Sequence, residues 1–344
     1  MNYTNNFDNN TTFMNPEHPS YLPPQEQETL SNLEKWLSSE LPKQYEEKAK
    51  ILNELGLLEI LPESGEIGIV GIDGKEYPFP SEEQIRAEIF KNPETKELFE
   101  TKMNQGFTEL EITPFGLPLE RLIDAAKKTI LKHYKEGTLF GTRKNQDDES
   151  EPLEPLKLDE NVPLSIWEEL KDADTTGELI YYPQEFSKNH HGKTKQELLD
   201  ASRNSLFPGF NVYLREKDIN IPQGGQGKTQ GNRKQLEAGK SSEEYLKILQ
   251  TQEEYHHESG QTSEDWLTLF TTHLEKTNQV IDNEEEGCSD RLIGSYNFVT
   301  KSVPDAYWDC IDRHVLLDWD APTVHDPSGG VRTVVRIPPL RLAS

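Results

Sequence analysis

Residues 106–134, "GFTELEITPFGLPLERLIDAAKKTILKHY", constrain the fold more than any other segment. Phe107, Leu110 and Ile112 mark a short strand. Pro118 then sits near a first helical turn, and Leu119, Leu122, Ile123, Ala126, Ile130 and Tyr134 trace one helical face. Strand and amphipathic helix in direct succession demand layers that bury both, which sets the class as α+β.

The other segments agree. Leu30, Leu33, Trp36 and Leu37 have helical spacing, and Ile51, Leu52 and Leu55 share a face before Gly56. Ile67 and Ile69 followed by Asp73-Gly74 predict a strand, a tight turn and a return strand. Ser81 with Gln84, Ser241 with Glu244, and Thr262 with Asp265 are spaced to cap helices. The last of these helices is expected to reach Ile281, with a buried stripe from Trp266 and Leu269 to Val280. After Gly287 the pattern changes to strands, in "RLIGSYNFV", "HVLLDW" and "VRTVVRI". No internal repeat of fixed period is present.

A length of 344 residues suggests two or three domains. We divide the chain into a disordered Asn-, Thr- and Pro-rich tail over 1–27, an α+β domain over 28–140, an acidic linker over 141–163 and a C-terminal domain over 164–344. The N-terminal region is helix-rich; the C-terminal domain mixes helix and strand. Only 33% of residues are hydrophobic, so polar loops are expected beside the core. The net charge of −26 disfavours nucleic acid and anionic membranes as partners. No apolar run approaches a membrane span, and the N-terminus lacks the features of a secretory signal, so a cytoplasmic location is expected. Cys288 and Cys310 are expected to be reduced thiols.

"QGGQGKT", Gln223–Thr229, has the look of a phosphate-binding loop in which Lys228 reaches the phosphates and Thr229 holds Mg²⁺. Pro222 stands where the common pattern wants Gly, the preceding "REKDINIP" is polar, and "QGNRKQLEAGK" lacks an apolar helical face. A solvated loop is therefore expected. The adjacent pairs His190-His191 and His256-His257 diverge on any helix and do not suit one metal. His273 lies on an apolar stripe and is expected to be a satisfied core residue. No catalytic set, cofactor or metal site is assigned.

The segment "WDCIDRHVLLDWDAPTVHD" is denser in polar groups. From Val303 to Ile337 there is no Lys, Glu, Gln or Met, although the rest of the chain is rich in Lys, Glu and Gln. Trp apart, the residue types present are those of codons ending in a pyrimidine.

"TSEDWLTLFTTHLEKTNQVID", "GSYNFV" with "VPDAYW", and "GGVRTVVRI" resemble a family of uncharacterised proteins from candidate-phylum bacterial genomes. The tail alone also resembles C-type-lectin-like domains, as in formylglycine-generating-enzyme-like proteins and the variable proteins of diversity-generating retroelements. In the latter, randomised template adenines meet pyrimidine-ending codons and vary one binding face. The resemblance implies a C-type-lectin-like C-terminal domain whose ligand face uses Tyr307, Asp309, Ile311, Asp312, His314, Asp318, Asp320, Thr323, His325 and Asp326. Trp308 and Trp319 would be scaffold or aromatic anchors. The expected function is non-enzymatic binding of a protein or small polar ligand. One alternative is a metal-dependent enzyme built on the same Asp and His residues. Another is a nucleotide binder using Lys228.

Overall fold

Helix starts follow the capping residues written in the sequence. Ser31, Ser81, Thr194, Ser241 and Thr262 each accept the backbone N–H three residues on, and the Glu, Gln or Asp there accepts the cap's own N–H in return. The computed structural model describes residues 30–143, 148, 150–203, 205–283 and 288–339; the expected tail over 1–27 lies outside them.

α1 (Asn32–Lys35) runs through a π-helical turn into α2 (Leu41–Glu54). β1 (Glu59–Ile60), β2 (Ile67–Val70) and β3 (Glu76–Pro78) form an antiparallel meander, with the expected turn at Gly74. α3 (Glu82–Ile89) and α4 (Pro93–Asn104) precede β4 (Phe107–Thr113) and α5 (Leu119–Glu136). β5 (Leu164–Ile166), α6 (Ala173–Thr176), β6 (Leu179–Tyr181), β7 (Lys193–Thr194), α7 (Lys195–Ser202) and β8 (Asn211–Glu216) follow. A small ribbon, β9 (Thr229–Gln230) and β10 (Arg233–Lys234), leads to α8 (Ser242–Thr251), β11 (Glu258–Gly260) and α9 (Ser263–Thr277). The remaining strands are β12 (Ser289–Arg291), β13 (Ser295–Asn297), β14 (Val303–Asp309), β15 (His314–Asp320), β16 (Gly329–Gly330) and β17 (Thr333–Ile337).

The class is α+β, as expected. One sheet has the order β11-β17-β8-β4 and is antiparallel throughout. A second, mixed sheet has the order β16-β12-β14-β15-β5. The first of these sheets crosses the expected domain division. β4 lies on the opposite side of the acidic stretch from its sheet partners: it pairs with β8, and β8 with β17. The stretch itself is tied to the body, since Gly141 N–H donates to Glu154 O and Leu156 N–H to Leu139 O. Residues 141–163 thus connect parts of one unit that begins at Ser31.

α9 is buried over every residue from Ser263 to Leu274. It ends at Thr277, earlier than expected, because Asn278 takes a left-handed conformation (φ 62°). Its Trp266, Glu264 and Asp265 are partnered inside the protein. Trp266 stacks on Phe270 with 5.1 Å between centroids and donates Nε1–H to Asp282 at 2.7 Å. Glu264 pairs with the wholly buried Lys195 at 2.9 Å, which also reaches Asp174 at 2.6 Å. Asp265 pairs with Arg336 at 2.6 Å. Arg332 bridges Asp282 and Asp290, each at 2.7 Å. Both arginines of "VRTVVRI" are therefore buried charges with carboxylate partners, the condition for a charge to be tolerated in a core. Among the described residues no helix is long and apolar enough to cross a membrane.

Candidate functional site

β14 and β15 form a hairpin in which Asp309 pairs with His314, Tyr307 with Leu316, Asp305 with Asp318 and Val303 with Asp320. Directly paired residues share a face, and alternate residues along a strand change face. Ala306, Trp308, Val315 and Leu317 therefore point one way, and all four are buried in the main hydrophobic core. Tyr307, Asp309, His314, Asp318 and Asp320 point the other way, and each is partly exposed. Five of the ten residues assigned from sequence thus share the face of the hairpin opposite its core.

The turn adds two more. Asp309 accepts the backbone N–H of Ile311 at 2.8 Å and of Asp312 at 2.9 Å, which fixes the loop over 310–313. Arg313 closes it with a positive φ of 59°. Ile311 stands 82% exposed at the tip. Ligand atoms of Asp309, Asp312 and His314 all lie within 4.8 Å of one another.

The other three residues lie apart, on the loop after β15. Thr323 and His325 are exposed, and His325 Nε2 lies 2.8 Å from Glu244 of α8. Asp326 turns its carboxylate onto the Ser328 N–H and hydroxyl, at 3.0 and 2.9 Å. Trp319 packs edge-on against Trp167, 5.3 Å between centroids, and Trp308 is fully buried.

Three residues were not found from the sequence. Leu316 lies between His314 and Asp318 on the same face, and the period of two in "HVLLDWD" carries that signal. Asp305 and Arg291 are paired across β14 and β12. Their meeting is non-local and leaves no mark in either segment. Arg291 is buried, its guanidinium 3.3 Å from Asp320. Gly329 lies so close under that guanidinium that a Cβ would run into it, which explains the second-sheet glycine. Burial pushes the Asp305 carboxyl up to about 7, with Asp320 and Asp326 adding to the effect against the pull of Arg291. Burial also raises Asp320, helped by Asp326 and Asp318.

The "QGGQGKT" loop has no phosphate-site architecture. Lys228 is followed by the two-residue β9, so no helix N-terminus faces the loop. Its anion-binding amides are occupied from within. Glu237 accepts the Gly227 N–H at 2.8 Å and is held at about 2 by Lys234 and by the Gly227 and Gly225 amides. His190 accepts the Gly192 N–H at 3.1 Å, and the His256 and His257 rings stand 6.2 Å apart. His273 is buried as expected, but its Nε2 has no hydrogen-bond partner, so it is not the satisfied core residue anticipated.

No protein-family model matches the chain, and no curated protein or solved structure matches it either.

Proposed function

We propose that this chain is a non-enzymatic binding protein whose ligand meets the open face and tip of the β14–β15 hairpin. The observation that carries this reading is the alternation itself. The residue set singled out by composition and by codon class splits along the hairpin, with Tyr307, Asp309, His314, Asp318 and Asp320 on one face and core residues on the other. A C-type-lectin-like recognition domain diversified at its variable face requires such a division. Asp320 apart, which meets the buried Arg291, substitution at outward positions leaves packing intact, whereas substitution at Trp308 or Leu317 costs several kcal/mol. Three carboxylates, a phenol and an imidazole on that face suit a cationic or polar protein or small ligand.

Sequencing the coding region for 303–330 across the source population tests the reading. The expected result is variation at 307, 309, 311, 312, 314, 318 and 320, with 306, 308, 315 and 317 constant, and a template copy nearby. A uniform region, or variation falling equally on both faces, overturns it.

A metal-dependent role is favoured by one observation, the convergence of Asp309, Asp312 and His314. Calorimetry with Mg²⁺, Mn²⁺, Ca²⁺ and Zn²⁺ separates the two readings. Stoichiometric binding lost in both Asp312→Ala and His314→Ala supports the metal site, and no heat with any ion removes it.

A further inference from the structure

A cleft of about 740 Å³ opens beside β4, β8 and the C-terminal half of α9, away from the hairpin residues. Its lining reverses the charge balance of the protein. The chain as a whole has 36 Lys and Arg against 62 Asp and Glu, whereas the cleft presents five Lys and Arg against three carboxylates. Apart from His273 no ring faces it, and no aliphatic side chain larger than threonine does. The cleft holds no aromatic side chain other than His273 and no large aliphatic one for a nucleobase or lipid to pack on.

Two polar atoms at the wall are buried without partners. Gln105 and His273 are each 8% exposed, and Gln105 Oε1 and His273 Nε2 have no hydrogen bond. Buried polar atoms in this state cost free energy until something fills them. His273 is neutral there, because burial, with Arg215 and Lys48 adding, holds the imidazole well below its ordinary range. Around these atoms stand cations with capacity to spare. Lys228 is 71% exposed and meets Asp218 at 3.2 Å; Lys276 is 42% exposed and meets Glu47 at 2.6 Å. Arg215 spends Nε on Glu111 and Nη1 on the Glu216 carbonyl. By contrast Arg233 is fully used, with two bonds to Glu258 and one to Glu216, and serves as wall.

We propose that this cleft is a second binding site, for a small hydroxylated anion of the sugar-phosphate class. Ligand hydroxyls would satisfy Gln105 and His273, and the anionic group would lie between Lys228, Lys276 and Arg215. The same Lys228 that suggested a nucleotide loop would then serve an anion through its side chain alone, with the loop amides held by Glu237.

The test is calorimetry on the full chain at low salt with three probes: glucose 6-phosphate, inorganic phosphate and glucose. Glucose 6-phosphate is expected to bind more tightly than either of the others. Lys228→Ala with Lys276→Ala should weaken it about tenfold or more, the loss of charge-assisted contacts. Both lysines are exposed, so the fold should survive, and unchanged melting verifies it. Lys301→Ala should leave binding unchanged. Gln105→Leu should weaken glucose 6-phosphate but not phosphate. Equal binding of phosphate and glucose 6-phosphate overturns the hydroxylated ligand. Absence of binding, or binding indifferent to the double lysine variant, overturns the site.

Discussion

Arg291 and Asp320 face each other at 3.3 Å across the end of the second sheet, and Asp305 is buried beside them. One cation therefore serves two carboxyls, with Asp326 contributing further negative potential. Burial is what raises Asp305 to about 7, with Asp320 and Asp326 adding to it against the pull of Arg291.

The first prediction concerns pH. A carboxyl near 3.9 in the unfolded chain and about 7 in the fold binds its proton more tightly when folded. Its stabilising contribution is complete below pH ~4 and is lost as pH rises through 7, by roughly 2–4 kcal/mol. Asp305→Asn should flatten the stability profile between pH 4 and 8 and exceed the wild type at pH 8. Urea unfolding at several pH values checks this, and parallel profiles would refute it.

Arg332 is the reverse case, a buried cation between Asp282 and Asp290, the latter pushed well up by burial against the pull of Arg332. Arg332→Ala strands Asp282 and Asp290 and should cost about 3–5 kcal/mol. Arg332→Ala with Asp290→Ala should recover part of that loss, because one buried carboxyl goes with its partner. Denaturant midpoints of the three variants measure the coupling.

Glu237 gives a local prediction. Its carboxyl is held at about 2, so its grip on the Gly225 and Gly227 amides is complete above pH ~4.5 and is lost as pH falls through 2. At pH 3 these amides should still be protected from hydrogen exchange. Glu237→Gln should lose that protection with little change in melting temperature.

The two thiols should differ. Burial, with Asp282 adding, raises Cys288 to about 11, while Cys310 is half-buried at the hairpin turn. Iodoacetamide at pH 8 should label Cys310 and spare Cys288 in the folded protein. Equal labelling by peptide mass mapping would contradict the placement of Cys288.

Local signals in the sequence were readable where they were strong. Ser81, Ser241 and Thr262 marked helix starts because a cap and its reciprocal partner lie three residues apart. α5 was plain from six apolar residues on one face. α4 escaped although Asn92 caps it and Pro93 opens it, because its apolar face holds only Phe99 and Met103 as buried hydrophobic residues. β14 escaped because "VPDAYWD" carries proline and two aspartates, which read as loop until the Trp308 and Ala306 face is seen to pack. The crossing of the expected domain division by the first sheet was hidden for a different reason. An acidic, proline-containing stretch has the composition of a linker, but composition is silent on which distant strands pair. The hairpin face was half legible: its residue types were, and Leu316, Asp305 and Arg291 depended on register and on β12.

The order of strands in the first sheet has a consequence for synthesis. β17 sits between β11 and β8, yet it is translated after both. A nascent chain that has released β4, β8 and β11 has a vacancy at the middle of its sheet until residues 333–337 clear the ribosome. In that interval β8 and β11 each present an open edge to any neighbouring polypeptide. A chain cut short before Arg332 keeps those edges permanently, and with them Asp265, Asp282 and Asp290 lacking their guanidinium partners. Such fragments should be removed by proteases or aggregate, because β17 is the strand that closes this sheet.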